Sequence, residues 1–328
     1  MIIVHKNYNK LFNLNNVFDA WKEFRRGKSS KADVMFFENH LEDNLFDLYR
    51  DLSEGVYSHS SYKYFTIFDN KKRDIYKAEV RDRIIHQIVY DYLLSFFEPK
   101  FISDSYASRI NKGQYKAINT FRYFVKLACG GAGKCFVLKC DVRKYFDNIN
   151  HKILLDLIKK KIGSGEVFDI IKNIVFSYHS SLGLNKGIPL GNVTSQIFAN
   201  IYLNVLDEYV KRELKCRFYV RYNDDFVIIS DNKDILEKIR EKIMTFVKEK
   251  LLLEIPLEKT SIRKIEWGIE FLGFTILPYA ILLRNKTKNK IYSNISRKNR
   301  DSYLSILKHC NSHNLRRKIL SMEKLNEV

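Results

Sequence analysis

The chain has 328 residues, 45% of them hydrophobic, which is enough to bury a substantial core and excludes a disordered polypeptide. Lys and Arg number 57 against 38 Asp and Glu, so the formal net charge is +19, which favours a polyanionic partner such as nucleic acid. No run of about eighteen apolar residues occurs and no signal-peptide core is found, so neither a membrane span nor export is predicted. The five cysteines form no CxxC pair, which indicates reduced thiols and a cytoplasmic protein.

The first predicted elements are helices, followed by a pair of strands around a polar turn. Helical periodicity covers about residues 17–52, and it returns at 82–97 and 114–127. Between these helices, residues 62–76 alternate as two strands around an Asp-Asn-Lys-Lys turn. The pattern therefore predicts a hairpin with a basic tip.

The next predicted strand ends in a carboxylate. The apolar run at residues 135–140 indicates a buried strand that leads directly into Asp141. Helical patterns follow at 151–161, 166–178 and 193–214. Strands that bracket helices in this order favour an antiparallel sheet with helices on one face over a doubly wound parallel fold.

A second strand pair carries two further acids. The sequence RFYVRYNDDFVIIS alternates on both sides of a polar centre, which predicts a hairpin with Asn223 and Asp224 at or beside the turn. A helix follows, with short strands through 271–283 and a basic helical tail. From Ile281 to Val328 there are twelve Lys and Arg against three acids, which suits contacts with phosphates.

Three carboxylates thus stand at the ends of predicted strands: Asp141, Asp224 and Asp225. Nucleotide transfer to a primer hydroxyl uses two divalent cations, and Mg²⁺ prefers oxygen ligands. Crowded carboxylates repel one another unless a cation is bound. An isolated Asp-Asp pair is more often a solvated turn. Here, however, the glycine-containing segment KGIPLGNVTSQIFANIYLNVLD lies between the two acidic sites.

In this order, KCDVRKYFD, the middle segment and the YNDD hairpin resemble the palm of reverse transcriptases, and the resemblance extends over about residues 62–314. It implies an α+β right-hand polymerase with an antiparallel palm sheet backed by helices and a short helical thumb. The expected boundaries are 1–133 for N-terminal helices and fingers, 134–283 for the catalytic palm and 284–328 for the basic thumb.

The resemblance also implies the catalytic residues. Asp141, the backbone carbonyl of Val142, Asp224 and Asp225 would bind two Mg²⁺ ions, with Mn²⁺ as an alternative ion. Lys259, in LEIPLEKTSI, occurs where the family carries a lysine that protonates the leaving pyrophosphate, so it joins the three acids as a predicted catalytic residue.

Further residues are expected to bind substrate. Phe146 corresponds to the aromatic steric gate that rejects a ribose 2′-hydroxyl, and Arg73 with Lys71 or Lys72 to the grip on the triphosphate. The alternatives are a core aromatic for Phe146 and simple surface charge for the lysines. The expected nucleotide-binding set is Lys72, Arg73, Phe146, Leu190, Gly191 and Gln196. The expected primer and template set is Arg109, Tyr222, Phe271, Leu272 and Gly273.

The middle motif departs from most bacterial relatives, which have Gln before the glycine and Ser-Pro after it. This chain has Leu190, Gly191, Ser195 and Gln196, an LGxxxSQ form that resembles the reverse transcriptases of diversity-generating retroelements. That resemblance implies error-prone copying of a structured template RNA into cDNA from dNTPs, with an accessory basic protein. An aliphatic Leu190 cannot hydrogen-bond near the nucleotide sugar, which suits looser control of substrate geometry.

Three alternatives stay open at this point. A related stand-alone enzyme could serve antiphage defence, using a noncoding RNA or no template. A catalytically inactive RNA-binding chaperone is disfavoured because all three acids are intact. RNA-dependent RNA synthesis is disfavoured by the bulk of Phe146.

Overall fold

The computed structural model describes residues 8–68, 72–130, 134–296 and 299–321. The chain divides into two compact units, and each unit is assembled from segments that are distant in sequence. The first unit comprises Met1–Ile102, Arg143–Glu208 and Phe246–Glu254. The second unit comprises Ser103–Val142, Tyr209–Thr245 and Ile255–Val328.

Each of these two units combines three separate segments of the chain, whereas each expected domain (fingers, palm and thumb) is one continuous stretch. The boundaries of those three domains therefore stay predictions. Residue 133, at the first boundary, and residues 322–328, at the end of the expected thumb, lie outside the described residues.

The helices and strands follow the predicted mixed order. The helices are α1 (Tyr8–Leu11), α2 (Leu14–Arg25), α3 (Ala32–Glu38), α4 (Leu41–Ser53), α5 (Val80–Phe97), α6 (Gln114–Ala128), α7 (Tyr145–Asn148), α8 (His151–Ile162), α9 (Glu166–Phe176), α10 (Val193–Glu208), α11 (Lys233–Leu251), α12 (Asn285–Asn294), α13 (Arg300–Leu307) and α14 (His313–Ser321). The strands are β1 (Lys63–Phe68), β2 (Lys72–Lys77), β3 (Phe136–Asp141), β4 (Tyr219–Tyr222), β5 (Asp225–Ser230), β6 (Ser261–Lys264), β7 (Ile269–Phe271), β8 (Phe274–Ile276) and β9 (Ile281–Leu283).

Most predicted elements are confirmed, with two differences in helix length. The helical stretch expected over 17–52 is divided into three helices, because the chain turns at Gly27, whose φ is +67°, and again near His40. The helix expected over 193–214 ends at Glu208 and continues as a π-helical turn, Tyr209–Glu213. The basic tip expected between β1 and β2 includes residues 69–71, which lie outside the described residues.

The first unit is mainly helical. Helices α5 and α10 pack against each other, and buried residues occur on more than one face of each helix. Helix α2 packs on α5, and the buried residues of α2 include Trp21 and Phe24. Strands β1 and β2 form a separate two-stranded antiparallel ribbon that pairs Lys63 with Lys77 and Phe68 with Lys72.

The second unit contains the predicted antiparallel sheet. Its strand order is β4-β5-β3-β6, and each neighbouring pair is antiparallel. Helix α6 packs against β4 and β5. A smaller antiparallel sheet has the order β7-β8-β9. One apolar core joins α6, both sheets and the C-terminal helices, with Phe121, Phe271 and Phe274 fully buried in it.

The cysteines correct one expectation. The structure joins Cys129, after α6, to Cys135, before β3, with their Cα atoms 5.1 Å apart, so the prediction that all thiols are reduced is wrong. The two cysteines are six positions apart, a spacing that matches no familiar motif. The cysteines therefore no longer support the predicted cytoplasmic location.

None of the helices in the described part of the chain combines the length and the apolar character that a membrane crossing needs.

Candidate active site

Three carboxylates meet at one end of the four-stranded sheet. The antiparallel register pairs Asp141, the last residue of β3, with Asp225, the first residue of β5. Asp225 is also paired with Tyr222 across the β4–β5 hairpin, and Val142 donates its backbone N–H to the carbonyl oxygen of Asp224 at 3.3 Å. Residues that are more than eighty positions apart are thus adjacent, as the motif order predicted.

The hairpin turn consists of Asn223 and Asp224, as predicted. Asn223 has a φ of +55°, a left-handed conformation that asparagine tolerates better than most residues. Its carbonyl oxygen accepts a hydrogen bond from Nη1 of Arg221 at 3.1 Å. The turn is therefore held from inside the protein as well as by its own strands.

Arg221 is a residue that the sequence interpretation missed. Its side chain is only 1% exposed, and its Nη2 donates to Oγ of Ser105 at 3.0 Å. The backbone of Arg221 makes two hydrogen bonds to the same segment. Its N–H donates to the carbonyl oxygen of Asp104, and its carbonyl oxygen accepts from the N–H of Tyr106. A charged residue inside an otherwise apolar strand was the available signal, because such a group is buried only with partners.

Two lysines face the carboxylates. Nζ of Lys139 lies 3.3 Å from Oδ2 of Asp225, and the ammonium of Lys259 forms an ion pair with Asp141. Burial raises the pKa of Asp225 to about 7; Lys139 opposes this shift, while the charges of Asp141 and Asp224 add to it. Desolvation is the largest cause of the raised pKa of Asp225, and the two neighbouring carboxylates disfavour its ionised form further.

The residues fit a divalent cation by their chemistry. Oδ1 of Asp225 is buried and has no hydrogen-bond partner among the described residues, so a hard ligand oxygen is left uncompensated. Within the same described residues, no three His, Cys, Asp or Glu side chains are already arranged around one point. Lys259 and Lys139 are paired with carboxylate oxygens of Asp141 and Asp225, which a bound cation would need as ligands.

Lys259 ends a short 3₁₀ turn, Leu257–Lys259, that directly precedes β6. Because β6 is paired with β3, this turn lies beside the end of β3, where Asp141 stands. The structure therefore brings all four predicted catalytic side chains into one cluster of the second unit.

The predicted primer and template residues also lie in the second unit. Phe271 is fully buried at the end of β7, and Leu272 and Gly273 form the turn to β8 with φ of +50° and +84°. Gln114 donates to the carbonyl oxygen of Leu272 at 2.7 Å, so α6 holds this turn.

Arg109 lies next to the support of the acidic hairpin. Its Nη1 donates to the carbonyl oxygen of Ser105 at 2.8 Å, and the hydroxyl of Ser105 is the group that Arg221 binds. Arg109 is therefore linked to the turn at Asn223 through Ser105 and Arg221, by three contacts in sequence. Tyr222, the fifth predicted residue of this set, lies within the hairpin.

The predicted nucleotide-binding residues belong to the first unit, where the middle motif is fixed to β2. The carbonyl oxygen of Leu190 accepts a hydrogen bond from Tyr76 at 3.1 Å. Gly191 has a φ of +111°, and a Cβ at this position would lie 2.9 Å from Cγ2 of Ile75. Only glycine satisfies both the backbone conformation and this close approach. Asn192 completes the attachment by donating to the carbonyl oxygen of Tyr76 at 2.8 Å.

The remaining members of that set are accessible. Lys72 and Arg73 are exposed on β2, and Gln196 is exposed on α10. Phe146 is half-buried in α7, and its carbonyl oxygen accepts a hydrogen bond from Ile188 of the middle segment at 2.9 Å. The six residues thus lie on β2, on α7, in the segment that leads into α10 and on α10 itself. Lys71 lies outside the described residues.

Comparison with known proteins supports the interpretation of these motifs. The family model described as reverse transcriptase (RNA-dependent DNA polymerase) matches residues 68–276. Protein YkfC of Escherichia coli K12 is 26% identical over 248 residues, which cover 64% of this chain and 64% of that protein. The group II intron-encoded protein LtrA of Lactococcus lactis is 25% identical over 308 residues, covering 72% of this chain and 50% of LtrA.

Solved structures agree on the fold. Telomerase from Candida albicans, in complex with a fragment of telomeric RNA, matches with a TM-score of 0.52 and 13% identity over 79% of this chain and 54% of that one. Apo telomerase from Candida tropicalis matches with a TM-score of 0.51 and 15% identity, covering 81% and 57%. The fold is the α+β fold of right-hand polymerases, as the motif order implied.

The family follows from the sequence match, which covers more than half of the chain. The chain belongs to the reverse transcriptase (RNA-dependent DNA polymerase) family and is similar to group II intron-encoded and related bacterial members. It spans 64% of the length of YkfC and half the length of LtrA. The family membership expected from the three motifs is therefore confirmed.

Proposed function

We propose that this chain is an RNA-directed DNA polymerase that extends a primer with dNTPs on an RNA template. The observation that supports this most directly is the adjacency of Asp141, Asp224 and Asp225 at one end of a buried sheet. In this proposal the three carboxylates and the backbone carbonyl of Val142 hold two Mg²⁺ ions, and Mn²⁺ can substitute.

Bound divalent cations would lower the pKa of the attacking primer hydroxyl and neutralise charge on the transferred phosphate. The protein's own contribution is position: the β3–β5 register sets the separation of Asp141 from Asp225, and the bond from Val142 to Asp224 fixes the turn beside them. Nζ of Lys259 is proposed to give a proton to the leaving pyrophosphate, and its pairing with Asp141 supports a place in the cluster.

The residues of the first unit are proposed to recognise the nucleotide. Arg73 and Lys72, exposed on β2, would bind the triphosphate, since a guanidinium fits phosphate oxygens in a bidentate manner. Phe146 would act as the steric gate against a ribose 2′-hydroxyl. Leu190 and Gly191, fixed to β2 through their backbone, would form the floor beneath the substrate together with Gln196.

The β7–β8 turn is proposed to grip the primer through Phe271, Leu272 and Gly273. Arg109 and Tyr222 would contact the primer–template near the acidic hairpin. The formal net charge of +19 supports contacts with a long polyanion beyond these residues. We retain fingers, palm and thumb at 1–133, 134–283 and 284–328 as the proposed functional division.

Primer extension tests the proposal. The wild-type chain is incubated with Mg²⁺ and either dNTPs or rNTPs, on both RNA and DNA templates, beside Asp224→Asn. We expect DNA synthesis on RNA and a loss of at least about a thousandfold in the variant, since a neutral amide is a poor ligand for a hard cation. Asp231→Asn, the same change at an exposed position just after β5, should retain wild-type rates. Full synthesis by Asp224→Asn, or incorporation of rNTPs only, would contradict the assignment.

The biological substrate is proposed from the LGxxxSQ motif. We propose that the template is a structured RNA, copied with frequent errors at adenine in a diversity-generating retroelement and with an accessory basic protein. The feature that supports this is Leu190, whose side chain offers no hydrogen bond to a nucleotide.

Sequencing of cDNA tests the fidelity part of this proposal. On a defined RNA template, Leu190→Gln should make several-fold fewer errors at adenine than the wild type, because the amide restores a hydrogen bond beside the substrate sugar. Leu184→Gln, at an exposed leucine two residues before the middle segment, serves as the matched control. Equal adenine error rates in wild type and Leu190→Gln would remove the argument.

A further inference from the structure

Lys139 has two partners at once, and neither the motif analysis nor the family resemblance assigned it a role. It lies in β3, two residues before Asp141. Its Nζ lies 3.3 Å from Oδ2 of Asp225 and donates a hydrogen bond to the backbone carbonyl oxygen of Glu270 at 2.7 Å. Lys139 therefore connects a carboxylate of the acidic hairpin to β7.

From Glu270 the contacts continue to the β7–β8 turn. The carboxylate of Glu270 pairs with Arg284, with Oε2 and Nη2 2.6 Å apart. Arg284 immediately precedes α12, and its backbone N–H donates to the carbonyl oxygen of Gly273 at 3.2 Å. Polar contacts thus run from Asp225 through Lys139 to the strand and turn proposed to hold the primer.

Simple neutralisation of Asp225 would not need the second partner. A lysine that only balances charge can rotate its ammonium freely, whereas the bond to Glu270 fixes the Nζ of Lys139 in place. The side chain of Lys139 is 25% exposed, against 38% for Lys259, so its ammonium is held more deeply. A shielded ion pair with an added hydrogen bond has a defined geometry.

We propose that Lys139 is a positioning residue that sets the placement of the β7–β8 turn relative to Asp225, and so the placement of the primer terminus. This inference rests on the proposed function for its effect on synthesis. Its structural part, the coupling of the turn to Asp225, does not depend on that function.

Steady-state primer extension tests the effect on the reaction. Lys139→Met keeps the length of the side chain but removes both polar contacts, whereas Lys139→Arg keeps a charge and several donors. We expect kcat of Lys139→Met to fall about tenfold or more, because small misplacements of reacting groups are costly, while KM for primer–template changes less than about threefold. Lys139→Arg should recover at least half of the lost rate. Lys126→Met, at an exposed lysine on α6, is the matched control and should behave as wild type.

Hydrogen exchange in metal-free protein tests the structural part without any synthesis. Backbone amides of residues 269–276 should exchange several-fold faster in Lys139→Met than in wild type or Lys139→Arg, because β7 loses a tether. Unchanged exchange there overturns the proposal, whatever the polymerase assay shows. If wild-type protein makes no DNA but the exchange result is as expected, the proposed function fails and the coupling stands.

Two further outcomes decide the kinetic part. A kcat of Lys139→Met within twofold of an active wild type, or a fall that Lys139→Arg does not reverse, overturns the proposal. If circular dichroism shows that Lys139→Met does not fold, Arg284→Gln decides in its place. That variant breaks the pair with Glu270, so it should accelerate exchange at 269–276 and lower kcat at constant KM; wild-type behaviour overturns the proposal.

Discussion

The two hairpins of this protein have similar sequence patterns but very different surroundings. The β4–β5 hairpin has buried residues along both strands and is continued by β3 and β6 into a four-stranded sheet. The β1–β2 hairpin stands as a two-stranded ribbon whose β1 residues are almost all exposed. Both sequences place apolar residues on either side of a polar centre, yet only the β4–β5 hairpin is continued into a larger sheet.

This difference suggests that the two hairpins have different roles in the proposed reaction. Carboxylates that bind cations must be held at fixed separations, and a hairpin built into a sheet provides that rigidity. A two-stranded ribbon is only marginally stable by itself, so its exposed cations can adjust to a ligand. We therefore expect substitutions in β4–β5 to affect stability and catalysis together, and substitutions of the exposed cations on β2 to affect substrate affinity alone.

The largest effect should come from Arg221, the buried cation of the rigid hairpin. Arg221→Met removes the donors to Asn223 and Ser105, and leaves their oxygen atoms in the interior. We expect the free energy of unfolding to fall by about 2–4 kcal/mol, together with a loss of synthesis, because buried polar groups lose their partners. Urea unfolding followed by circular dichroism measures this.

The matched substitution to Arg221→Met is Arg73→Met on the exposed ribbon. It should change the free energy of unfolding by less than about 0.5 kcal/mol. Equal destabilisation by the two substitutions would break the contrast between the hairpins.

A smaller effect is expected on substrate binding. Arg73→Ala should raise KM for dNTP about tenfold and leave kcat within about threefold, because the proposed charge-assisted contact to the triphosphate would be lost both before and during the reaction. Steady-state kinetics with varied dNTP measures the split. Lys152→Ala, an exposed cation on α8 of the same unit, provides the comparison. An unchanged KM, or a fall in kcat alone, would count against the ribbon as the triphosphate site.

The smallest effect concerns the turn at Asn223. Asn223→Ala should cost about 1 kcal/mol of stability, because alanine is strained at a φ of +55°. Asn223→Gly should remain within about 0.5 kcal/mol of wild type, since glycine adopts this conformation without strain. Thermal unfolding of both variants distinguishes backbone strain from loss of the side chain. Equal losses in both variants would mean that the asparagine side chain, and not the turn conformation, stabilises the hairpin.

Local patterns in the sequence predicted both hairpins because strand alternation and turn residues are short-range signals. The buried strand before Asp141, the turn at Asn223 and the small strands after residue 269 all follow from neighbouring residues. The three acids could be connected only through motif order, because nothing local in KCDVRKYFD indicates its partner in YNDD.

The supporting contacts could not be predicted in this way. Arg221 reaches Ser105 across 116 residues, and Lys139 reaches the carbonyl of Glu270 across 131 residues. Side-chain pairing over such separations depends on tertiary packing, which the periodicity of the sequence does not encode. The bridge between Cys129 and Cys135 was missed because the six-residue spacing of these cysteines matches no familiar motif.

The central claim, that three acids hold cations at one end of the sheet, can be tested by local backbone cleavage. Fe²⁺ with ascorbate and peroxide cuts the chain near the position where the iron binds in place of Mg²⁺. The account predicts cleavage close to Asp141 and close to Asp224, suppressed by excess Mg²⁺ and absent in Asp224→Asn. Cleavage elsewhere in the chain, or an identical pattern in Asp224→Asn, would contradict it.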